Sequence, residues 1–145
     1  MAFKLVESVH SKAPTWSLPL DGSTAVTAGA VYYNDYANAV LKAVTSAAGK
    51  TINQIFLATE TKASGATSVK VKPLFHGDVV VADCTNTTAA NQILVRQVMT
   101  DLNTVNNSSS DTATNLAIFL PIGTVGPASQ KQLLGYFLTL GQQTA

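Results

Sequence analysis

The most restrictive stretch of this 145-residue chain runs from Val69 to Phe75. Val69, Val71, Pro73 and Phe75 alternate with Lys70 and Lys72. That period of two puts one set of side chains on each face of a strand. His76-Gly77-Asp78 interrupts the pattern with turn formers, and Val79-Val80-Val81-Ala82 follows as a run apolar on both faces. Upstream, Ala30-Val31-Tyr32-Tyr33 and Ala39-Val40-Leu41-Lys42-Ala43-Val44 flank the turn pair Asn34-Asp35. Residues 52–60 contain Ile55-Phe56-Leu57, and Lys62-Ala63-Ser64-Gly65 ends that run. Strands of about four to eight residues between Gly-containing turns are the pattern of a small barrel or sandwich.

Other segments read differently. Residues 1–22 carry Pro14 and Pro19, which fix φ, remove amide donors and keep their predecessors extended, with Trp16 between them. They read as an extended N-terminal arm, either packed on its own domain or reaching a neighbouring chain with Trp16 as an aromatic anchor. In residues 88–102 the period changes. Ala90, Leu94, Val98 and Leu102 lie four apart, Ile93 and Val105 widen the stripe, and Thr87 or Thr88 precedes it as an N-cap. This spacing predicts one amphipathic helix at about 88–102. Residues 103–111 are a polar surface tip, and Leu116-Ala117-Ile118-Phe119-Leu120 is a buried strand. Residues 133–140 mix helix and strand signals. Gly135 and the aromatic and Thr content favour a strand pairing back on 116–122. The expected fold is a β-rich α+β domain over residues 23–145, a small β-barrel or sandwich with one helix, behind the arm.

Composition narrows the function classes. Charged residues make up 12% of the chain, about half of an ordinary soluble domain's share. Hydrophobic residues reach 46% and the net charge is +1, which excludes a disordered polyelectrolyte. Nine basic residues scattered from Lys4 to Lys131 form no phosphate-binding stripe, so a nucleic-acid partner is not expected. The apolar runs reach about five residues against the ~20 of a membrane span, so no membrane insertion is expected. Residues 1–10 lack a signal-peptide core, so synthesis and residence in a cytoplasm are expected. The sequons at Asn86, Asn106 and Asn107 then carry no sugar. Cys84 is alone, so no internal disulfide forms.

Catalytic signals are weak. Ser46-Ala47-Ala48-Gly49-Lys50-Thr51 ends like a phosphate-binding loop, but Val44 stands where the first glycine is needed. His76, Asp78, Asp83 and Cys84 crowd into nine residues, yet the second histidine is His10 and no second cysteine exists. A Cys84 nucleophile with His76 as base competes with the simpler reading of Cys84 as a small buried hydrophobe. Glu7, Asp21, Asp35, Glu60, Asp101 and Asp111 show no acid/base pairing, and no Gly-x-Ser-x-Gly motif is present. Lys62, Lys70 and Lys72 gather at one hairpin, facing an acidic partner or simply water. Tyr32, Tyr33 and Tyr36 read as core and rim of the first hairpin. No enzyme activity, metal or cofactor is expected.

The stretch Ala58-Thr59-Glu60-Thr61-Lys62-Ala63-Ser64-Gly65-Ala66-Thr67-Ser68-Val69-Lys70-Val71-Lys72-Pro73-Leu74-Phe75-His76-Gly77-Asp78-Val79 resembles the central part of tailed-phage head decoration (cement) proteins. In that family a strand ending in Ala plus an acidic residue leads through a small Ala/Gly turn. A Val-x-Val-x-Pro strand follows, then a His-Gly or Gly-Asp corner. Thr27-Ala28-Gly29-Ala30-Val31 and Leu134-Gly135-Tyr136-Phe137-Leu138 are similar to its glycine-introduced strands, and the proline-containing arm fits. The resemblance covers about a third of the chain. It implies a non-enzymatic protein made in the host cytoplasm and carried on the outer capsid surface of the virion. There it would bind the major capsid protein, often as a homotrimer, and bridge neighbouring capsomers. Phe3, Pro14, Trp16 and Pro19 of the arm and Lys62, Lys70 and Lys72 are the implied capsid or subunit contacts. Two other readings fit a charge-poor β-protein: a tail- or fibre-associated virion module, and a ligand- or carbohydrate-binding β-module.

Overall fold

The computed structural model describes residues 3–8, 14–35, 37–45, 54–108 and 117–138. Its strands are β1 (Phe3–Glu7), β2 (Trp16–Pro19), β3 (Val31–Asp35), β4 (Val40–Ala43), β5 (Ile55–Ala58), β6 (Ser68–Leu74), β7 (Val79–Asp83), β8 (Val98–Asp101), β9 (Thr104–Asn106), β10 (Phe119–Thr124) and β11 (Gln132–Phe137). They form a four-stranded sheet in the order β1-β7-β11-β10, a five-stranded sheet in the order β2-β6-β5-β3-β4, and the β8-β9 hairpin. Every ladder is antiparallel. Val69, Val71 and Pro73 of β6 are buried and Lys70 is exposed, as the alternation predicts. Residues 133–137 pair with β10, as the strand reading of that segment expects.

The two larger sheets pack face to face. Phe3, Val80, Ala82, Phe119, Leu133 and Phe137 of the four-stranded sheet meet Val31, Ile55, Leu57 and Leu74 of the five-stranded one in a single core. Phe137 sits edge-on to both Phe3 (5.2 Å) and Phe119 (5.5 Å), the geometry aromatic rings prefer. Met99 and Val105 of the hairpin close the same core. Gly135 of β11 stands where a Cβ would run into the Leu120 carbonyl and the Phe119 ring, so only glycine allows this approach.

The five-stranded sheet also buries its other face. Tyr32, Leu41, Phe56, Ala58, Val69 and Val71 form a second core, covered by Leu20, Val26 and Ala30. The sheet curls until its edge strands meet at one parallel bridge, Leu20 to Leu41, with the Asp21 N–H donating to the Leu41 carbonyl at 3.2 Å. One bridge does not close a barrel. The fold is a β-sandwich with one curled sheet.

The helix expected at about 88–102 is absent, and the α+β assignment is corrected to nearly all β: no described residue is in an α-helix. Ala90–Gln92 form a single 3-10 turn, Ile93 is extended, and Leu94 has a φ of 65°. Gln97 then pairs with Phe119, and Val98–Asp101 is a strand. The reason is where the apolar residues go. Val98 and Met99 are both buried, next to one another, against Asn106 and Val105 across the hairpin. A stripe four residues apart leaves Leu94 in water, 69% exposed. The β-branched residues Ile93, Val95, Val98, Thr100, Thr104 and Val105 also lose more side-chain freedom in a helix than in a sheet. The tip expected at 103–111 holds β9 instead, and 109–111 lie outside the described residues.

Two smaller expectations shift. Asn34 and Asp35 belong to β3, and the hairpin turns at 37–39. The Asp35 carboxylate accepts from the Ala37 N–H (3.0 Å), Asn38 Nδ2 (2.7 Å) and Lys42 Nζ (2.9 Å). These bonds, the Asn38 amide first, pull its carboxyl down to about 2. Residues 1–22 are extended where described, but as sheet edges: β1 borders the four-stranded sheet and β2 the five-stranded one.

Candidate functional site

The candidate chemistry around His76 and Cys84 does not assemble a reactive centre. The Asp78 carboxylate is spent on its own corner: it accepts from the Phe75 N–H at 2.9 Å and from Ser8 Oγ at 3.0 Å. Gly77, at a φ of 95°, lets that corner turn. His76 is exposed and lies edge-on to Tyr136, centroids 5.1 Å apart. Cys84 is buried, and burial, followed by the Asp83 charge, pushes its thiol up to about 12. A thiol held protonated is a poor nucleophile. Among the described residues no three His, Cys, Asp or Glu side chains converge on a point that could hold a metal. The loop-like 46–51 stretch, His10, Tyr36 and Asp111 lie outside the described residues.

The proposed contact residues separate into three groups. Phe3 is 1% exposed and belongs to the core, so its assignment as a contact is corrected: it holds β1 to the sandwich. Pro14, Trp16 and Pro19 are exposed along the β2 edge, Trp16 at 45%. Beside them, where β2 and β4 diverge from the Leu20–Leu41 bridge, opens an apolar groove of about 280 Å³ lined by Leu18, Pro19, Val40, Leu41 and Phe56, with Asn34 and Asp35 at the hairpin end. Lys62 is tied down: its Nζ lies 3.5 Å from Glu60 and donates to the Ser68 carbonyl at 3.1 Å. Glu60 also accepts from the Lys70 N–H at 2.9 Å, the main cause of its lowered pKa. Lys70 is exposed and Lys72 half-buried on the β6 face that carries Leu74.

A second surface was not singled out in the sequence. The burial of β7 and β11 alternates strictly, so Val79, Val81 and Asp83, with Gln132, Leu134 and Tyr136, point away from the core. Cross-strand register aligns Lys4 with Val81 and Leu120 with Tyr136 on that same outer face. Val6 is 55% exposed and Ile122 of the bulged β10 is 40% exposed. The outer face of the four-stranded sheet is thus largely aliphatic and aromatic. The readable signal was the apolar run at 79–82, which announces apolar residues on both faces without saying what covers the second.

No family model matches this chain, and no curated protein or solved structure matches it.

Proposed function

We propose that this chain is a capsid decoration protein that binds the outside of an assembled phage head and stabilises it by bridging major capsid subunits. The observation that carries this reading is Trp16, half out of the fold on a sheet edge between Pro14 and Pro19. A large ring exposed on an edge strand that pairs on one side only is a natural protein-binding anchor. The low charge of the whole chain supports it, since the centres of protein interfaces are depleted in charge. The tailed-phage assignment rests on the resemblance of residues 58–79, which span the end of β5, the Gly65 turn, β6 and the start of β7. The major capsid protein is the partner, and the outer surface of the virion is the location.

Co-sedimentation with purified empty shells tests the reading. The chain should pellet saturably with shells of its own major capsid protein, and Trp16→Ala should weaken binding by at least tenfold. A chain left entirely in the supernatant at micromolar concentration overturns it. A ligand-binding β-module is the second reading, favoured by the apolar groove beside Trp16. Trp16 fluorescence that shifts on titration with a glycan, while shells fail to pellet the chain, would favour that alternative.

A further inference from the structure

The two faces of the four-stranded sheet are both apolar, but only one is covered by this chain. Val79, Val81, Leu134, Tyr136, Leu120 and Val6 occupy the outer one. Across its end runs a trough of about 310 Å³ lined by Lys4, Val81, Val125 and Gln132, contributed by or next to each of the four strands. Lys4 and Asp83 are the charged side chains among the described strand residues of this face. Asp83 accepts one hydrogen bond from Gln132 Nε2 at 3.0 Å, and neither charge is in an ion pair among the described residues.

We infer that this face is a homotypic interface, closed by the same face of a second copy, with Lys4 of each chain paired to Asp83 of the other. The charge pattern selects the occupant. One cation and one anion, close together beside an apolar field, make a surface complementary to itself under a two-fold rotation. Lys4 stands opposite Val81, and Asp83 lies two residues farther along β7. On the sheet lattice a two-fold axis drawn between Lys4 and Asp83 runs diagonally over Leu134 towards Leu120. Leucine then meets leucine along the axis. The strands of the two copies cross steeply, near the orthogonal class of sheet packing.

Four strands about 4.8 Å apart, presenting about five residues each, give a face of roughly 300 Å². That is the small end of specific interfaces, so the pair forms at micromolar concentration or above. Copies held side by side on a larger assembly would pair far more readily, because tethering raises their effective concentration.

Sedimentation of the purified chain over roughly 1–300 µM tests this without any shell, so failure here leaves shell binding untouched, and failure of shell binding leaves this contact standing. The wild type should form a concentration-dependent dimer. Lys4→Glu and Asp83→Lys should each weaken it at least tenfold, because each places like charges opposite one another. Mixing the two single variants should restore association as mixed dimers, and the Lys4→Glu/Asp83→Lys double variant should dimerise alone. Val81→Arg, with a wild-type circular dichroism spectrum, should abolish the dimer through the apolar field. A wild type that stays monomeric, an assembly other than a dimer, or single variants that associate as the wild type does would each overturn the proposal. Folded single variants that do not rescue one another would do so too.

Discussion

The two large sheets solve the same problem in opposite ways. The five-stranded sheet curls and covers its second face with residues 18–30, so β5 is buried at all four positions. The four-stranded sheet stays open, and its strands are buried at alternate positions although their exposed residues are mostly apolar. A sheet facing water on one side usually alternates apolar with polar. The contrast teaches that burial within one chain and apolar character are separate quantities. Where they part, at Val79, Val81 and Leu134, the fold presents a surface that another protein can use.

The sharpest break in this comparison comes from the shared core. Phe119→Ala removes a ring that is fully buried between the sheets and should destabilise the fold by about 3–5 kcal/mol in chemical denaturation. A loss below about 1 kcal/mol would mean that the sheets are not packed as described. Next comes a matched pair of nearly isosteric changes. Val71→Thr buries a hydroxyl in the second core and should cost about 1–3 kcal/mol. Val81→Thr, on the open face, should cost the isolated monomer less than about 0.5 kcal/mol. Equal costs would erase the distinction between the two sheets.

Smaller effects refine it. Tyr32 sits in the second core with its hydroxyl unpartnered, and burial raises its pKa. Tyr32→Phe should therefore stabilise the protein by up to about 1 kcal/mol, read as a higher denaturation midpoint. A loss instead would reveal a partner for that hydroxyl. The Asp35 carboxyl, held at about 2 against an ordinary 3.8, stabilises the β3–β4 hairpin above the ordinary value. That contribution should disappear as pH falls from about 4 to about 2. Asp35→Asn should flatten this part of the stability curve, and an unchanged acid limb would show that the carboxylate does not hold the hairpin.

Much of the fold was readable from local pattern. The 69–75 alternation gave β6 because its two faces meet different surroundings, and the His76-Gly77-Asp78 corner follows from a glycine with positive φ and a carboxylate that can accept nearby amides. Residues 88–102 misled because helical spacing there is a coincidence of apolar residues bound for different places: Leu94 to water, Val98 and Met99 to the core. The pairing that decides the matter joins Gln97 to Phe119, a long-range contact with no local signature. Trp16 and Pro19 were legible as exposed contacts from their composition alone. Phe3 was not, since nothing near it announces that β1 pairs with β7 some 75 residues later. The open sheet face was equally hidden, because outward residues of β7 and β11 become neighbours only through that register.

Hydroxyl-radical footprinting across a concentration series reads the open face residue by residue and tests the central claim most directly. Labelling of Tyr136, Leu134 and Val81 should fall as concentration rises through the dimer range, while Trp16 stays equally reactive. Labelling of those three residues that does not change with concentration, or protection confined to Trp16, would contradict the account.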